Sequence, residues 1–131
     1  MKNKKKKGSD AERDLIHMFW KEGWAAARVA GSGSMKYPSP DIIAGKNGFL
    51  YAIECKITSS DKQYFEKKEI ENLQKFAKIT AAIAYVAVKF KGTDWKFYPI
   101  TSLLKTEKNF VVTQKTLSLK SKEIIKSSKH L

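Results

Sequence analysis

The stretch from residue 37 to residue 57, YPSPDIIAGKNGFLYAIECKI, constrains the fold more than any other part of this chain. Two apolar runs flank the Asn-Gly pair at 47–48, which is the preferred two-residue turn between antiparallel strands. However, Asp41 opens the first run, and Glu54 and Lys56 interrupt the second. Buried charge is costly unless it is paired or binds a metal ion. The predicted hairpin therefore carries either a functional site or a structural ion pair.

The register of such a hairpin brings the two acids together. Residues on either side of the turn meet in order, so Asp41 lies opposite roughly residue 54. Because side chains alternate between the two faces of a strand, Glu54 and Lys56 point to the same side. Close carboxylates repel each other, and a divalent cation such as Mg²⁺ removes that repulsion. An ammonium group beside the ion suits phosphodiester hydrolysis, in which it orients water or stabilises developing charge.

Composition narrows the class of partner and of metal site. The chain has 131 residues, enough for one domain, and a formal net charge of +13, which favours nucleic acid or anionic membrane as a partner. The alternative is a basic surface that serves solubility alone. No apolar run approaches the roughly 20 residues of a membrane span, and no secretory signal is evident, so we expect a cytoplasmic protein. One Cys and two His cannot form a Cys/His zinc cluster, so any metal would be held by oxygen.

Charge and periodicity divide the chain into three segments. We expect a flexible basic arm at 1–8, a single folded domain at 9–117 and a lysine-rich tail at 118–131 that forms at most a marginal helix. The arm suits non-specific contact with DNA phosphates, unless it is a solvated tag. Its candidate DNA-binding residues are Lys4, Lys5, Lys6 and Lys7.

The first helix raises an ambiguity about Glu12. Ser9 followed by Glu12 matches a capping box, which predicts that the helix begins at Ser9. An apolar stripe follows and Gly23 ends the helix; the stripe consists of Leu15, Ile16, Phe19 and Trp20. Glu12 lies one turn before Ile16, at the end of the core-facing stripe. It is therefore either a cap residue or a carboxylate of the site.

The remaining patterns predict an α/β domain. A short buried strand precedes a loop containing Gly31 to Ser34, whose flexible backbone and hydroxyls can close on a phosphate or form an ordinary turn. After the hairpin come a loop at 58–64, a helix at 65–79, a central strand at 81–90, another strand with Trp95 and Phe97 on one face, and a final edge strand near 109–114. This order predicts one mixed β-sheet with helices on both faces.

Two sets of residues resemble a known family. Pro40-Asp41 followed by Glu54-Cys55-Lys56 resembles the PD-(D/E)xK nuclease motif. With KGSDAERDL, EGWAAARVAGSGS, PDIIAG, AIECKI, Tyr64 and AVKF, the chain resembles archaeal Holliday junction resolvases of the Hjc type. The likeness runs from about Lys7 to Pro99, and the tail beyond Thr101 is not covered.

The resemblance implies a restriction-endonuclease-like fold and a homodimer with two active sites. It matches the family's catalytic positions to Glu12, Asp41, Glu54 and Lys56, of which the three acids are the expected metal ligands. It also matches Ser32 to a loop serine that acts at the scissile phosphate. The expected DNA-binding residues are Arg13, Arg28, Ser34 and Tyr64; Arg13 and Arg28 are the only arginines in a lysine-rich chain.

Together these observations predict a structure-selective endonuclease. We expect one or two Mg²⁺ ions per site, with Mn²⁺ as a substitute, and paired cuts in a four-way DNA junction. The partners are junction DNA and a second copy of the chain, with no membrane and no small-molecule cofactor. Three alternatives stay open: a restriction or repair endonuclease with the same motif, a DNA-binding protein without catalysis, and a ribonuclease.

Overall fold

The computed structural model describes residues 4–29 and 37–126. Its helices are α1 (Lys4–Lys21), α2 (Lys67–Thr80) and α3 (Ser121–Ile125). Its strands are β1 (Ala25–Arg28), β2 (Ile42–Lys46), β3 (Phe49–Thr58), β4 (Lys62–Glu66), β5 (Ile83–Phe90), β6 (Trp95–Pro99), β7 (Leu104–Lys105), β8 (Asn109–Thr113) and β9 (Leu119–Lys120). None of the helices in these two ranges has the length and apolarity to cross a bilayer.

A mixed six-stranded sheet has the strand order β1-β2-β3-β5-β6-β9. Its first three strands are antiparallel, and α2 provides the crossover that makes β5 parallel to β3. The predicted hairpin is confirmed: Ile42 pairs with Ile53, and Asn47 and Gly48 both have positive φ, at 49° and 85°. These two positive φ angles are what the tight turn requires, which explains the Asn-Gly pair. The apolar run at 81–90 forms β5, an interior strand as predicted.

Helices cover both faces of this sheet, as the sequence predicts. On one face, α1 and α3 pack on the strands; this core contains Leu15, Phe19, Trp24, Ile53, Phe97, Ile124 and Ile125. On the other face, α2 and the second sheet pack on the strands; that core contains Phe65, Ile70, Leu73, Val86, Val88 and Val112. The fold is therefore an α/β sandwich within one domain.

Helix α1 differs from the prediction at its start. It begins at Lys4, so Ser9 lies inside the helix and the predicted capping box at its start is wrong. The helix therefore includes residues 4–8, which the sequence places in a basic arm. Trp20 is 57% exposed rather than part of the core, and its indole N–H donates to the carbonyl of Ala26 at 2.9 Å.

The predicted end of α1 is confirmed. Gly23 has a φ of 88°, a conformation that glycine adopts without steric cost. This allows the N–H of Trp24 to reach back to the carbonyl of Phe19 at 3.0 Å, while Gly23 N–H donates to Trp20. This arrangement closes the helix as in a Schellman motif. The chain then turns directly into β1.

A second sheet, with the order β4-β8-β7, was not predicted. Residues 62–64 belong to β4, where the sequence predicts a loop, and α2 begins at Lys67 rather than at residue 65. Within β4 only Phe65 is buried, so the local pattern carries little strand signal. Pairing with β8, such as Tyr64 with Val111, forms the strand instead. For the same reason β8, predicted as an edge strand, lies in the middle of this sheet.

The C-terminal segment packs against the domain. Its predicted helix is α3, and Ile124 and Ile125 are each only 2% exposed. Two hydrogen bonds fix it to the first core: Trp24 Nε1 donates to the carbonyl of Ile125 at 2.7 Å, and the Tyr51 hydroxyl donates to that of Ile124 at 3.3 Å. The first part of the predicted tail is thus integral to the core.

Candidate active site

The hairpin places Asp41 directly beside Glu54. The N–H of Asp41 donates to the carbonyl of Ile53 at 3.0 Å. Ile42, the residue after Asp41, is the cross-strand partner of Ile53. Asp41 also accepts a hydrogen bond through Oδ2 from the N–H of Cys55 at 2.8 Å. The carboxylate of Asp41 is therefore held against the middle of β3, as the register of the sequence predicts.

The position of Glu54 raises the pKa of its carboxyl group. Burial raises its pKa first, and the charges of Asp41 and Glu69 raise it further, to about 9. Lys56 opposes the shift, and a hydrogen bond with the Glu69 side chain adds to it. Glu54 is therefore protonated near neutral pH when no cation is bound, as expected for one of two adjacent carboxyl groups.

Lys56 is held by an acid from a different element. Its ammonium group forms an ion pair with Oε2 of Glu69, on α2, at 2.8 Å. Burial on its own lowers the pKa of Lys56, but the hydrogen bond and charge of Glu69, with the charges of Glu54 and Asp41, raise it overall. Lys56 is thus a fixed positive charge beside the two acids.

Glu12 approaches the same region from α1. Arg28, the last residue of β1, donates from Nε to Oε1 of Glu12 at 2.9 Å and from Nη2 to Oγ of Ser9 at 3.2 Å. The following N–H, from Val29, donates to the carbonyl of Asp41 at 2.8 Å, so β1 carries Arg28 to the level of the hairpin acids. Burial raises the pKa of Glu12 against the hydrogen bond from Arg28, and the charge of Asp41 raises it further.

Other predicted residues lie apart from this group or outside the described residues. Ser32 and Ser34 are outside them, as are the side chains of residues 4–7. Arg13 is exposed on α1 and pairs with Asp10 at 3.3 Å. Tyr64 lies in the second sheet and is 52% exposed. The expected roles of these residues in DNA binding and catalysis stay predictions.

Sequence reasoning missed Glu69 and the pairing of Arg28 with Glu12. Glu69 lies thirteen residues after Lys56 in a helix start rich in charge, and no local pattern distinguishes it there from Glu66 or Glu71. Cys55, between Glu54 and Lys56, is 7% exposed, and burial raises the pKa of its thiol well above the usual value.

The donor chemistry of the site fits a divalent metal ion. Among the described residues, no three acids, cysteines or histidines are already grouped as a metal site. The best donors are Asp41 and Glu54, whose hard oxygens suit Mg²⁺ and whose mutual repulsion a cation would offset. The oxygen Oε1 of Glu12 accepts a hydrogen bond from Arg28, and the expected role of Glu12 as a third metal ligand stays a prediction.

Comparison with known proteins identifies the family of this chain. A family model described as archaeal Holliday junction resolvase (Hjc) matches residues 3–131. The chain belongs to this family. The match also extends the family likeness beyond the motifs at Lys7 to Pro99 and through the C-terminal segment.

Similar proteins agree with this assignment. The crossover junction endodeoxyribonuclease Hjc of Archaeoglobus fulgidus is 44% identical over 115 residues, which are 88% of this chain and 85% of that protein. A solved structure of A. fulgidus Hjc, described as a Holliday junction resolvase from an archaeal hyperthermophile, gives a TM-score of 0.84 at 41% identity. That match covers 90% of this chain and 99% of the other.

A more distant structure bears on the fold alone. A bacterial homing endonuclease gives a TM-score of 0.55 at 13% identity, covering 96% of this chain and 88% of the other. With the Hjc match, this confirms the predicted restriction-endonuclease-like α/β fold. The Hjc family is one of endonucleases, and it implies a DNA substrate and a divalent metal cofactor.

Proposed function

We propose that this protein is a structure-selective endonuclease that resolves four-way DNA junctions. The observation that carries the proposal is the hairpin register, which sets Asp41 against Glu54 with Lys56 on the same face of β3. In a member of the archaeal Holliday junction resolvase family, this arrangement supports hydrolysis of a phosphodiester bond. The net charge of +13 supports attraction to the dense phosphates of a junction.

Asp41 and Glu54 would hold one or two Mg²⁺ ions, or Mn²⁺ in their place, with assistance from Glu12. When bound, the ion supplies Lewis-acid stabilisation of charge that develops on the phosphate. The pKa of Glu54 is about 9 without a cation, and because a carboxyl group must be ionised to serve as a ligand, Glu54 would lose its proton when it holds an ion. Lys56 keeps its ammonium group beside these acids and either orients the attacking water or stabilises negative charge in the transition state.

The remaining predicted residues act on the DNA in this proposal. Arg13, Arg28 and Tyr64, together with the lysines at 4–7, contact the backbone, and Ser32 and Ser34 close on the phosphate near the cut. Such contacts read the shape of the junction more than its bases. Two sites in a symmetric homodimer make paired cuts in opposing strands. A cytoplasmic location, as the sequence predicts, is part of the proposal.

The decisive experiment compares a synthetic four-way junction with linear duplexes of the same arm sequences. We expect cleavage of the junction with Mg²⁺ or Mn²⁺, none in EDTA, and little cleavage of the duplexes. Asp41→Asn and Glu54→Gln are expected to abolish cleavage while junction binding persists. Asp61→Asn is the matched control, because Asp61 is exposed in the loop before β4.

Each alternative predicts a different result in this assay. Equal cutting of linear duplex points to a restriction or repair endonuclease with the same site. Junction binding without metal-dependent cutting points to a DNA-binding protein without catalysis, and a preference for RNA points to a ribonuclease. If Asp41→Asn and Glu54→Gln cut as well as the wild type, the proposed site is wrong. Analytical ultracentrifugation tests the homodimer separately.

A further inference from the structure

Besides its hydrogen bond with the Glu54 side chain, Glu69 makes two contacts that serve different purposes. It is the third residue of α2, and its Oε1 accepts a hydrogen bond at 3.0 Å from the N–H of Glu66, the residue before the helix. This is the capping-box contact, and it stabilises the start of the helix. The other oxygen, Oε2, faces β3 and pairs with Lys56 at 2.8 Å. A cap needs only the first contact.

The second contact restrains a side chain that would otherwise be mobile. A lysine ammonium ends a flexible four-carbon stem, so its position beside a reacting group depends on a partner. The side chains of Lys56 and Glu69 are 33% and 26% exposed, which leaves the pair partly shielded from solvent. Because Glu69 is anchored by the helix start, its carboxylate ties the position of Lys56 Nζ to α2.

We propose that Glu69 is a positioning residue that holds the Lys56 ammonium group in place beside Asp41 and Glu54. This inference rests on the proposed endonuclease function. Glu69 itself need not touch the DNA or the metal ion; it acts through Lys56. The N-terminus of α2 thereby becomes part of the site, although the nuclease motif ends at Lys56.

Glu69→Gln separates this role from capping. Glutamine keeps an oxygen for the N–H of Glu66, and it is a usual residue at this position of a capping box, so α2 stays capped. The negative charge opposite Lys56 is lost. Glu71→Gln is the matched control, since Glu71 is exposed two residues further along α2 and the substitution makes the same charge change.

The test measures the single-turnover rate of junction cleavage at saturating protein with Mg²⁺, together with junction affinity in EDTA and the melting temperature. We expect Glu69→Gln to lower the rate about 10-fold, the scale typical of residues that orient a site. Affinity should match that of Glu71→Gln, and the melting temperature shows that both variants are folded. Glu69→Asp, which keeps the charge on a shorter side chain, should recover part of the rate.

A double-variant comparison tests whether Glu69 acts through Lys56. Glu69→Gln should slow the wild-type protein but cause no further loss in a Lys56→Gln background. Equal effects in both backgrounds, or wild-type cleavage by Glu69→Gln, would overturn the inference while the endonuclease function stands. If neither the wild type nor Glu71→Gln cuts junctions, the proposed function fails first, and the inference fails with it.

Discussion

Two ion pairs flank the hairpin acids, and they are built in opposite ways. In the pair Arg28–Glu12, the residue expected in the reaction is the acid, and a base from β1 supports it at 2.9 Å. In the pair Lys56–Glu69, the residue expected in the reaction is the base, and an acid from α2 supports it at 2.8 Å. Each expected reactive charge is therefore held by its opposite from another element.

The two supporting residues differ in charge and in exposure, because Glu69 is an acid whose side chain is 26% exposed. Arg28 is 41% exposed, so it can pair with Glu12 and still present donors to a phosphate. The supporting acid of the other pair cannot attract DNA, because it carries negative charge. We therefore expect Arg28 to have a second role in contacting DNA and Glu69 to have a positioning role alone. The following predictions test that distinction.

The largest expected effect comes from the reactive member of each pair. Glu12→Gln and Lys56→Gln should each lower the single-turnover cleavage rate about 100-fold or more, because Glu12 would assist in holding the metal ion and Lys56 would stabilise charge on the reacting phosphate. Junction affinity in EDTA should change little by comparison. If one of the two variants cuts at the wild-type rate, the ion pair to which that residue belongs is structural, and its expected role in the reaction is wrong.

The supporting residues should produce smaller effects that differ from each other. Arg28→Gln should lower the cleavage rate about 10-fold through the loss of support for Glu12. If Arg28 also contacts a phosphate, the slope of log affinity against log salt should fall by about 1. Glu69→Gln should leave that slope unchanged. Equal salt slopes for Arg28→Gln and the wild type would assign Arg28 a positioning role alone.

The pH dependence of stability should follow the protonation of Glu54, whose pKa is raised by burial, by Asp41 and by Glu69. The unfolded chain releases the Glu54 proton near the ordinary value of 4.5, whereas the folded chain, without a cation, holds it to about 9. The folded state therefore binds more protons across this window, and stability falls as the pH rises through it. We expect the melting temperature in EDTA to drop by about 5 °C or more across this range.

Two comparisons check this assignment. Glu54→Gln should flatten the pH profile, and Mg²⁺ should raise the melting temperature most at high pH because it replaces the proton. Glu69 raises the pKa of Glu54, so Glu69→Gln should weaken the dependence. A profile that is unchanged in Glu54→Gln would assign the titration to another group.

The smallest expected effect is that of Ser9→Ala. Its hydroxyl accepts a hydrogen bond at 3.2 Å from Arg28, which is already held by Glu12. This solvent-exposed contact is the longer of the two that hold the guanidinium, and the one to Glu12 remains, so the cleavage rate should fall by less than about threefold. A loss as large as that of Arg28→Gln would show that the orientation of Arg28 depends on Ser9 as much as on Glu12.

Much of the site could be predicted from the sequence because it depends on short-range rules. A two-residue turn and strict alternation determine which residues of a hairpin face each other, so Asp41 and Glu54 could be placed as neighbours. Glu69 could not be found in this way. Its contact with Lys56 depends on how α2 packs against β3. Between these two elements the chain forms β4, which belongs to the other sheet.

The second sheet and the C-terminal segment show the same limit. In β4 the propensity signal is weak, and pairing with a strand more than forty residues away makes it a strand. Ile124 and Ile125 appear in the sequence as a marginal apolar pair in a lysine-rich tail. Only their burial against Trp24 and Tyr51 shows that this segment completes the core.

The sequence by itself determined the hairpin, the two acids and the lysine that it carries, the family and the α/β class, because each follows from local spacing or from a motif. The tertiary structure decided which side chain supports each of these charges and where the second sheet and the last helix pack. Those contacts join residues distant along the chain, and their free energy depends on burial and geometry that arise only when the elements are assembled.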